Sequence, residues 1–368
     1  MWRETLPDLG GIVKKYHAVR GEASTLMRWS LLCLVLLILL VGIGTAGAGA
    51  QSGTISPAQL QADPPPDLPY RAFLPAVPRG LSTDPAVQAV NRLNYYRALA
   101  GAPPLGLHQS IVQAAQNHAR YYMLNYADPS AWIYTMHGEV EGKPGFTGRY
   151  PGDRLAYTGF PYWTGAEEIH YLGNPIASVD DWIAAPYHRV FALKPNYNYM
   201  GYAMDRSKEA AVDVLDLGFE DGPALPPDPI GYPADGQTGV PTTWGGGEDP
   251  NPLPPDAPRP VGYPFSLQGV GGSFQVTWIE MRNGNGQVVS VYPNPELCPD
   301  FKCYILIPVS PLQPLMTYTV HAVGRVSGVP FDRTWQFTTR AEAQGTDSAL
   351  PCSSYSGIVF DEMTGEQP

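Results

Sequence analysis

Proline sets the first limits on this fold. Residues 223–264 hold thirteen prolines, including the run NPLPPDAPRP, and a second rich stretch, DPPPDLPYRAFLPAVPRG, lies within residues 51–80. Proline has no backbone N–H and clashes with the preceding helical turn, so the 51–80 stretch cannot form a helix and runs extended, while the second stretch is a linker or an ordered strap. The 368 residues therefore fall into blocks. The expected boundaries are 1–50 for a signal peptide or membrane anchor and 51–80 for an extended tether. A first folded domain over 81–222 follows, then a linker or ordered strap over 223–260. A second folded domain spans 261–341, and 342–368 forms a polar tail, expected to be loose because it has few apolar residues.

The stretch Trp29–Ala50, WSLLCLVLLILLVGIGTAGAGA, has no charge across 22 residues. It is long enough to cross a bilayer. It also has the parts of a secretory signal: Arg28 in front, an apolar centre and an Ala48-Gly49-Ala50 cleavage pattern. A cleaved signal and a retained anchor both stay open, as do Met1 and Met27 as the start. Both place the body outside the cytoplasmic membrane, secreted or at the cell surface, with membrane contact only through this segment. The formal net charge is −11, with no basic cluster in the body. Such a surface repels phosphate backbones, so no nucleic-acid partner is expected. Of the four cysteines, Cys33 sits in the apolar segment. Cys298 and Cys303 are spaced for a small-loop disulfide in an oxidising compartment, leaving Cys352 free or paired between chains. A C-x4-C zinc half-site is the alternative, but no second Cys/His pair follows at finger spacing.

In the first domain, Ser82-Thr83-Asp84-Pro85 offers a cap and a first-turn proline before VQAVNRLNYYRALAG, a helix that Gly101 and Pro103-Pro104 stop. A second helix runs through SIVQAAQNHARYYML, with Ile111, Ala114, Ala115, His118 and Tyr122 on one face. Residues 127–165 read as aromatic loop, and a short helix is expected over Ser178 to Ala185. GYAMD and AAVDVLDLGF alternate as two strands around RSKE. This order of elements predicts an antiparallel sheet covered by helices. Beyond the second proline stretch, YPFSLQ, SFQVTWIEM, QVVSVY, CYILIPV, MTYTVHAVGRV and RTWQFTT are short strand-like runs separated by turns, the pattern of a β-sandwich. Trp335 and Phe337 share a face by strand alternation and read as core.

Chemistry could come from the histidines. His118 on its apolar helix face reads as a satisfied core residue. His137 and His170 lie in loop-like sequence, and His188 follows Trp182 in VDDWIAAPYHRVFALKP. Neutral imidazoles with a carboxylate could hold a divalent ion or position a water for base catalysis, although no H-E-x-x-H is present.

N-Y-Y-R (94–97), A-G-A-P-P-L (100–105), A-A-Q-N-H-A-R-Y-Y-M (114–123), His137, D-R (153–154), G-F (159–160), A-E-E-I (166–169), W-x5-H-R (182–189) and M-G-Y-A (200–203) occur in that order. The series resembles the SCP, or CAP, superfamily in its bacterial form over about residues 82–222. The resemblance implies an α+β fold, an α-β-α sandwich with a cleft of two histidines and two acids. Carried over, these are His137, His188 and Glu167, with Glu168 where the family has an amide and Ala185 where the second acid is expected. Asp180 and Asp181 are the nearby acids. The C-terminal runs ending in T-W-Q-F-T-T are similar to bacterial Ig-like modules, implying an all-β Ig-like sandwich.

Three functions follow. The cleft of His137, Glu167, His188 and Glu168 could receive an extracellular lipid, peptide or cell-envelope ligand. His137 and His188 could instead hold Zn²⁺ or another divalent metal for hydrolysis. The same residues could also form a structural network without a ligand. Binding ranks ahead of catalysis, because the missing second acid removes the obvious general base.

Overall fold

A computed structural model describes residues 82–133, 135–161, 165–220, 228–269, 271–341 and 356–360. The Trp29–Ala50 segment, the 51–80 tether and Cys352 lie outside these. Among the described residues no helix is long and apolar enough to cross a membrane.

Helix α1 (Pro85–Ala100) starts where expected: the Asp84 carboxylate accepts from the Ala86 and Val87 N–H groups, and Pro85 occupies the first turn. It ends at Gly101, whose φ of 78° is left-handed. Strand β1 (Gly106–Leu107) leads into α2 (Gln109–Asn125), whose predicted face is buried at Ile111, Ala114, Ala115 and His118. The aromatic region then forms β2 (Trp132–Ile133), β3 (Thr135–Glu139) and the short helix α3 (Pro151–Tyr157). Next come β4 (Gly165–His170), α4 (Pro175–Ala184), α5 (Pro186–Ala192), β5 (Tyr199–Asp205) and β6 (Val212–Gly218).

Three layers result. Ala115 and Ala119 of α2 pack on Ile169, Ala203, Val212 and Val214 of the sheet. Leu93 of α1, Trp182 of α4 and Val190 of α5 pack on the opposite face with Ala166, Tyr202, Leu215 and Leu217. Alternation along β6 explains the division, since even and odd residues serve different layers. Gly201 is required by contact: a Cβ there would strike the backbone of Ile111 and Val112, so glycine lets α2 lie against β5. Trp182 is 1 % exposed, and a truncated core tryptophan costs about 3–5 kcal/mol, which is why it anchors α4.

The proline-rich stretch is an ordered strap carrying β7 (Ile230–Tyr232), β8 (Gln237–Val240), β9 (Thr243–Trp244) and β10 (Glu248–Asp249). After β11 (Val261–Gly262) come β12 (Phe265–Gln268), β13 (Phe274–Asn283), the one-turn helix α6 (Cys298–Phe301), β14 (Cys303–Leu306), β15 (Thr317–Val326) and β16 (Val329–Thr339). Two larger sheets form, β14-β12-β7 and β13-β15-β16-β8, beside the two-stranded pair β11-β9. Phe265 of the first meets Trp335 of the second at 6.0 Å between ring centroids, and Trp335 and Phe337 are both buried. The strap thus lends one strand to each sheet. Cys298 and Cys303 are joined by a disulfide, with Cα atoms 4.7 Å apart.

Several structural features differ from the sequence expectations. Within 223–260, left open between linker and ordered strap, β7 and β8 complete sheets whose free edges would otherwise leave backbone groups unpaired. In the tail, expected to be loose, Ser356–Phe360 forms β17, antiparallel to β4 and parallel to β10. Its apolar Ile-Val-Phe run is short, so only the pairing partners make it a strand. The main sheet is ordered β1-β5-β6-β4-β17-β10 among the described residues.

Candidate functional site

Strand β4 reads GAEEIH and is buried at every position. Successive side chains on a strand point to opposite faces, so Glu167 and Glu168 serve two different sites.

Glu167 faces α2 and α3. Its Oε1 is 2.8 Å from His137 Nδ1, and its Oε2 accepts from Arg154 at 2.6 Å. Arg154 also donates to the His137 carbonyl at 2.9 Å. His118 Nδ1 lies 2.8 Å from Glu139 Oε1, and its Nε2 donates to the Met136 carbonyl at 2.9 Å. Glu139 Oε2 accepts the Thr147 N–H at 2.8 Å, tying down the loop after β3. Burial opposes the Glu167 charge, yet Arg154, His118 and His137 hold this carboxyl well below the usual carboxylate range. Burial and the adjacent Glu167 push Asp216, its cross-strand partner, well above that range. The same buried layer thus pushes the two carboxyls in opposite directions. The sequence expectation of a satisfied core ring at His118 agrees with this geometry.

Glu168 faces α5. On that side the His188 N–H and the His188 Nδ1 both lie 2.8 Å from Glu248 Oε1. Glu248 comes from β10 in the strap, sixty residues further along the chain. Neither nearby acid substitutes for the one absent at Ala185. Asp180 is engaged by Arg92 Nε at 2.5 Å and Tyr96 at 2.8 Å, while Asp181 stands 3.3 Å from His170 Nε2. Beside His188, Glu248 Oε2 and His188 Nε2 are buried without a hydrogen-bond partner, and the Glu168 carboxyl has only the Ala192 N–H. Burial, and then the Glu248 charge, push the Glu168 carboxyl well above its ordinary value.

The four sequence candidates therefore do not converge on one water-accessible hollow. His137 and Glu167 meet on one face of β4, and His188 and Glu168 lie on the other. All four are 0 % exposed, because helices cover both faces and β17 covers the strand's edge. The residues do not fit a zinc centre as arranged: each histidine is engaged by its own carboxylate, and among the described residues no three His, Cys, Asp or Glu side chains are placed to hold a metal ion. Sequence reasoning missed Glu139, Arg154, Asp216 and Glu248. The only local signal for Glu248 is an acidic pair following three glycines in GGGEDP. Arg189, given no role from sequence, is wholly buried and donates to Ile183, Ala184, Tyr232 and Pro264 carbonyls.

The upward shift of the Glu168 carboxyl makes a testable pH signature. A carboxyl whose folded pKa is raised contributes stability that is complete below the unfolded value, about 4.3, and lost as pH rises through the folded one. Denaturant melts between pH 5 and pH 8 should show Glu168→Gln becoming more stable than the parent as pH rises. Asp216 adds a slope of the same sign to both proteins, so the difference is the measure. Parallel pH profiles would contradict the assignment.

Residues 90–214 match the model of the cysteine-rich secretory protein family, CAP. Among solved structures, an outer surface protein from Borrelia burgdorferi is similar at 12% sequence identity, over 36% of this chain and 90% of that chain, with a TM-score of 0.29. No curated protein matches the chain.

Proposed function

We propose that this chain, built on a CAP domain over residues 90–214, is an exported or surface-held binding protein for a peptide, lipid or cell-envelope ligand, and not a hydrolase. Export is supported by the uncharged Trp29–Ala50 segment and by the Cys298–Cys303 disulfide, a bond that persists in oxidising compartments. The observation that carries the non-catalytic reading is burial. His137, Glu167, Glu168 and His188 are each 0 % exposed, whereas a general base must come within hydrogen-bond reach of the proton it abstracts. The Glu167 cluster serves as a pin for β3, α3 and the loop between them, because His137, His118, Glu167, Glu139 and Arg154 pair with one another.

Turnover assays decide between binding and hydrolysis. The full chain, incubated with peptide, ester and peptidoglycan substrates, should show no hydrolysis above that of His188→Ala, while still being retained by one immobilised ligand class. Hydrolysis that disappears in His188→Ala would overturn the reading.

A further inference from the structure

The last strand occupies a place that the rest of the sheet leaves for it. Ile358, Val359 and Phe360 lie opposite Glu168, Glu167 and Ala166 of β4, and Ser356 and Gly357 lie opposite Glu248 and Asp249 of β10. Neighbouring strands are about 4.8 Å apart, so β4 and β10 are separated by about 10 Å, the width of one strand. The register also sets the faces. Ser356 and Ile358 are two residues apart, so the positions opposite them, Glu248 and Glu168, share one face of the sheet. That is the face on which Glu248 Oε2 and His188 Nε2 are buried without partners and the Glu168 carboxyl has only the Ala192 N–H beside it. A strand made for this position would supply donors there. The segment SGIVF carries one hydroxyl, Ser356, opposite Glu248, and no charged or amide side chain; Ile358, opposite Glu168, offers no donor.

We propose that the space between β4 and β10 is an acceptor slot for one extended peptide strand, held in this structure by the chain's own Ser356–Phe360. We further propose that a peptide with lysine or arginine at the Ile358 register displaces this segment. This deepens the binding reading and rests on it. Backbone pairing on both sides supplies affinity for any extended segment. Selectivity comes from the acids: residues opposite one another on adjacent strands share a face, so a cation at the Ile358 register reaches Glu168 and, across the slot, the free oxygen of Glu248. The tail then acts as an internal competitor whose local concentration keeps weak peptides out.

The test uses the full chain and its Ile358→Pro/Val359→Pro variant. Successive N–H groups of a strand point to alternate neighbours, so two adjacent prolines remove one donor toward β4 and one toward β10. The probes are fluorescent synthetic peptides of residues 353–362, one unaltered and one carrying Ile358→Lys. By anisotropy, the lysine peptide should bind the double-proline variant at least about ten-fold more tightly than the parent chain, and about ten-fold more tightly than the unaltered peptide does. Adding Glu168→Gln should erase the second preference. Equal binding to variant and parent, or no binding to a variant that melts like the parent, would overturn the slot. If the variant does not fold, amide exchange in the parent decides. The β4 amides that face the slot should exchange faster than those of β6 and slow on adding the lysine peptide; rates matching β6 and unmoved by peptide would overturn the proposal. Cleavage of a bound peptide would count against the non-catalytic reading and leave the slot standing.

Discussion

Arg154→Met should cost about 3–5 kcal/mol at pH 7, the usual consequence of removing one partner from a buried ion pair. The side chain is completely buried and donates to Glu167 Oε2 at 2.6 Å and to the His137 carbonyl at 2.9 Å. Its Nε also stands 3.9 Å from Glu139. Methionine fills much of the same volume, so the loss reports charge more than packing. The sign of the pH dependence is fixed by Glu167. Its folded pKa is depressed, so the stability it contributes is present above the unfolded carboxylate value and lost as pH falls through the folded one. Without Arg154 that contribution goes, and the cluster can be neutral only by taking up protons. The gap between parent and variant should therefore narrow as the pH falls below the unfolded carboxylate value, about 4.3, in denaturant titrations. A gap under about 1 kcal/mol at pH 7 would mean that Arg154 does not hold the cluster together.

Arg189→Met should be comparably severe and should show differently. The guanidinium donates to Ile183 at 2.6 Å and Ala184 at 3.0 Å within the helical layer, and to Pro264 at 2.8 Å and Tyr232 at 3.3 Å on the sandwich side. It lies between the rings of Tyr232 and Tyr263, 5.0 and 5.2 Å from their centroids. Removing it orphans carbonyls on both sides of the joint, at about 1–3 kcal/mol each before relaxation, and a total loss of about 3–5 kcal/mol is expected. Because this one group bonds both halves, calorimetry should show one transition for the parent and two for the variant. Arg189→Lys keeps the charge but not the planar fork, so it should recover less than half of the loss. A single transition within about 1 kcal/mol of the parent would show that the halves are joined by apolar contact alone.

The ends of α1 and α2 were legible because capping is local: Asp84, Pro85 and Gly101 act on groups within a few residues. β5 and β6 were legible from their apolar alternation. β4 was not. It is buried on both faces, and two adjacent glutamates in GAEEIH break the pattern by which a strand is recognised. The strands of the strap and of the tail went unread for a related reason. They are short and proline-flanked or isolated, and they exist through partners far away in sequence, such as β12 for β7 and β4 for β17.

The amino-acid order by itself determined α1, α2 and the helix around Trp182, strands β5 and β6, and the small disulfide loop, since each depends on neighbours along the chain. It also placed acids and imidazoles at 137, 167, 168 and 188. Which carboxylate meets which ring was decided only in three dimensions. Strand pleating sends Glu167 and Glu168 to opposite layers, and the strap carries Glu248 sixty residues back to His188. Pairings of that reach depend on where whole layers settle, which no local pattern encodes.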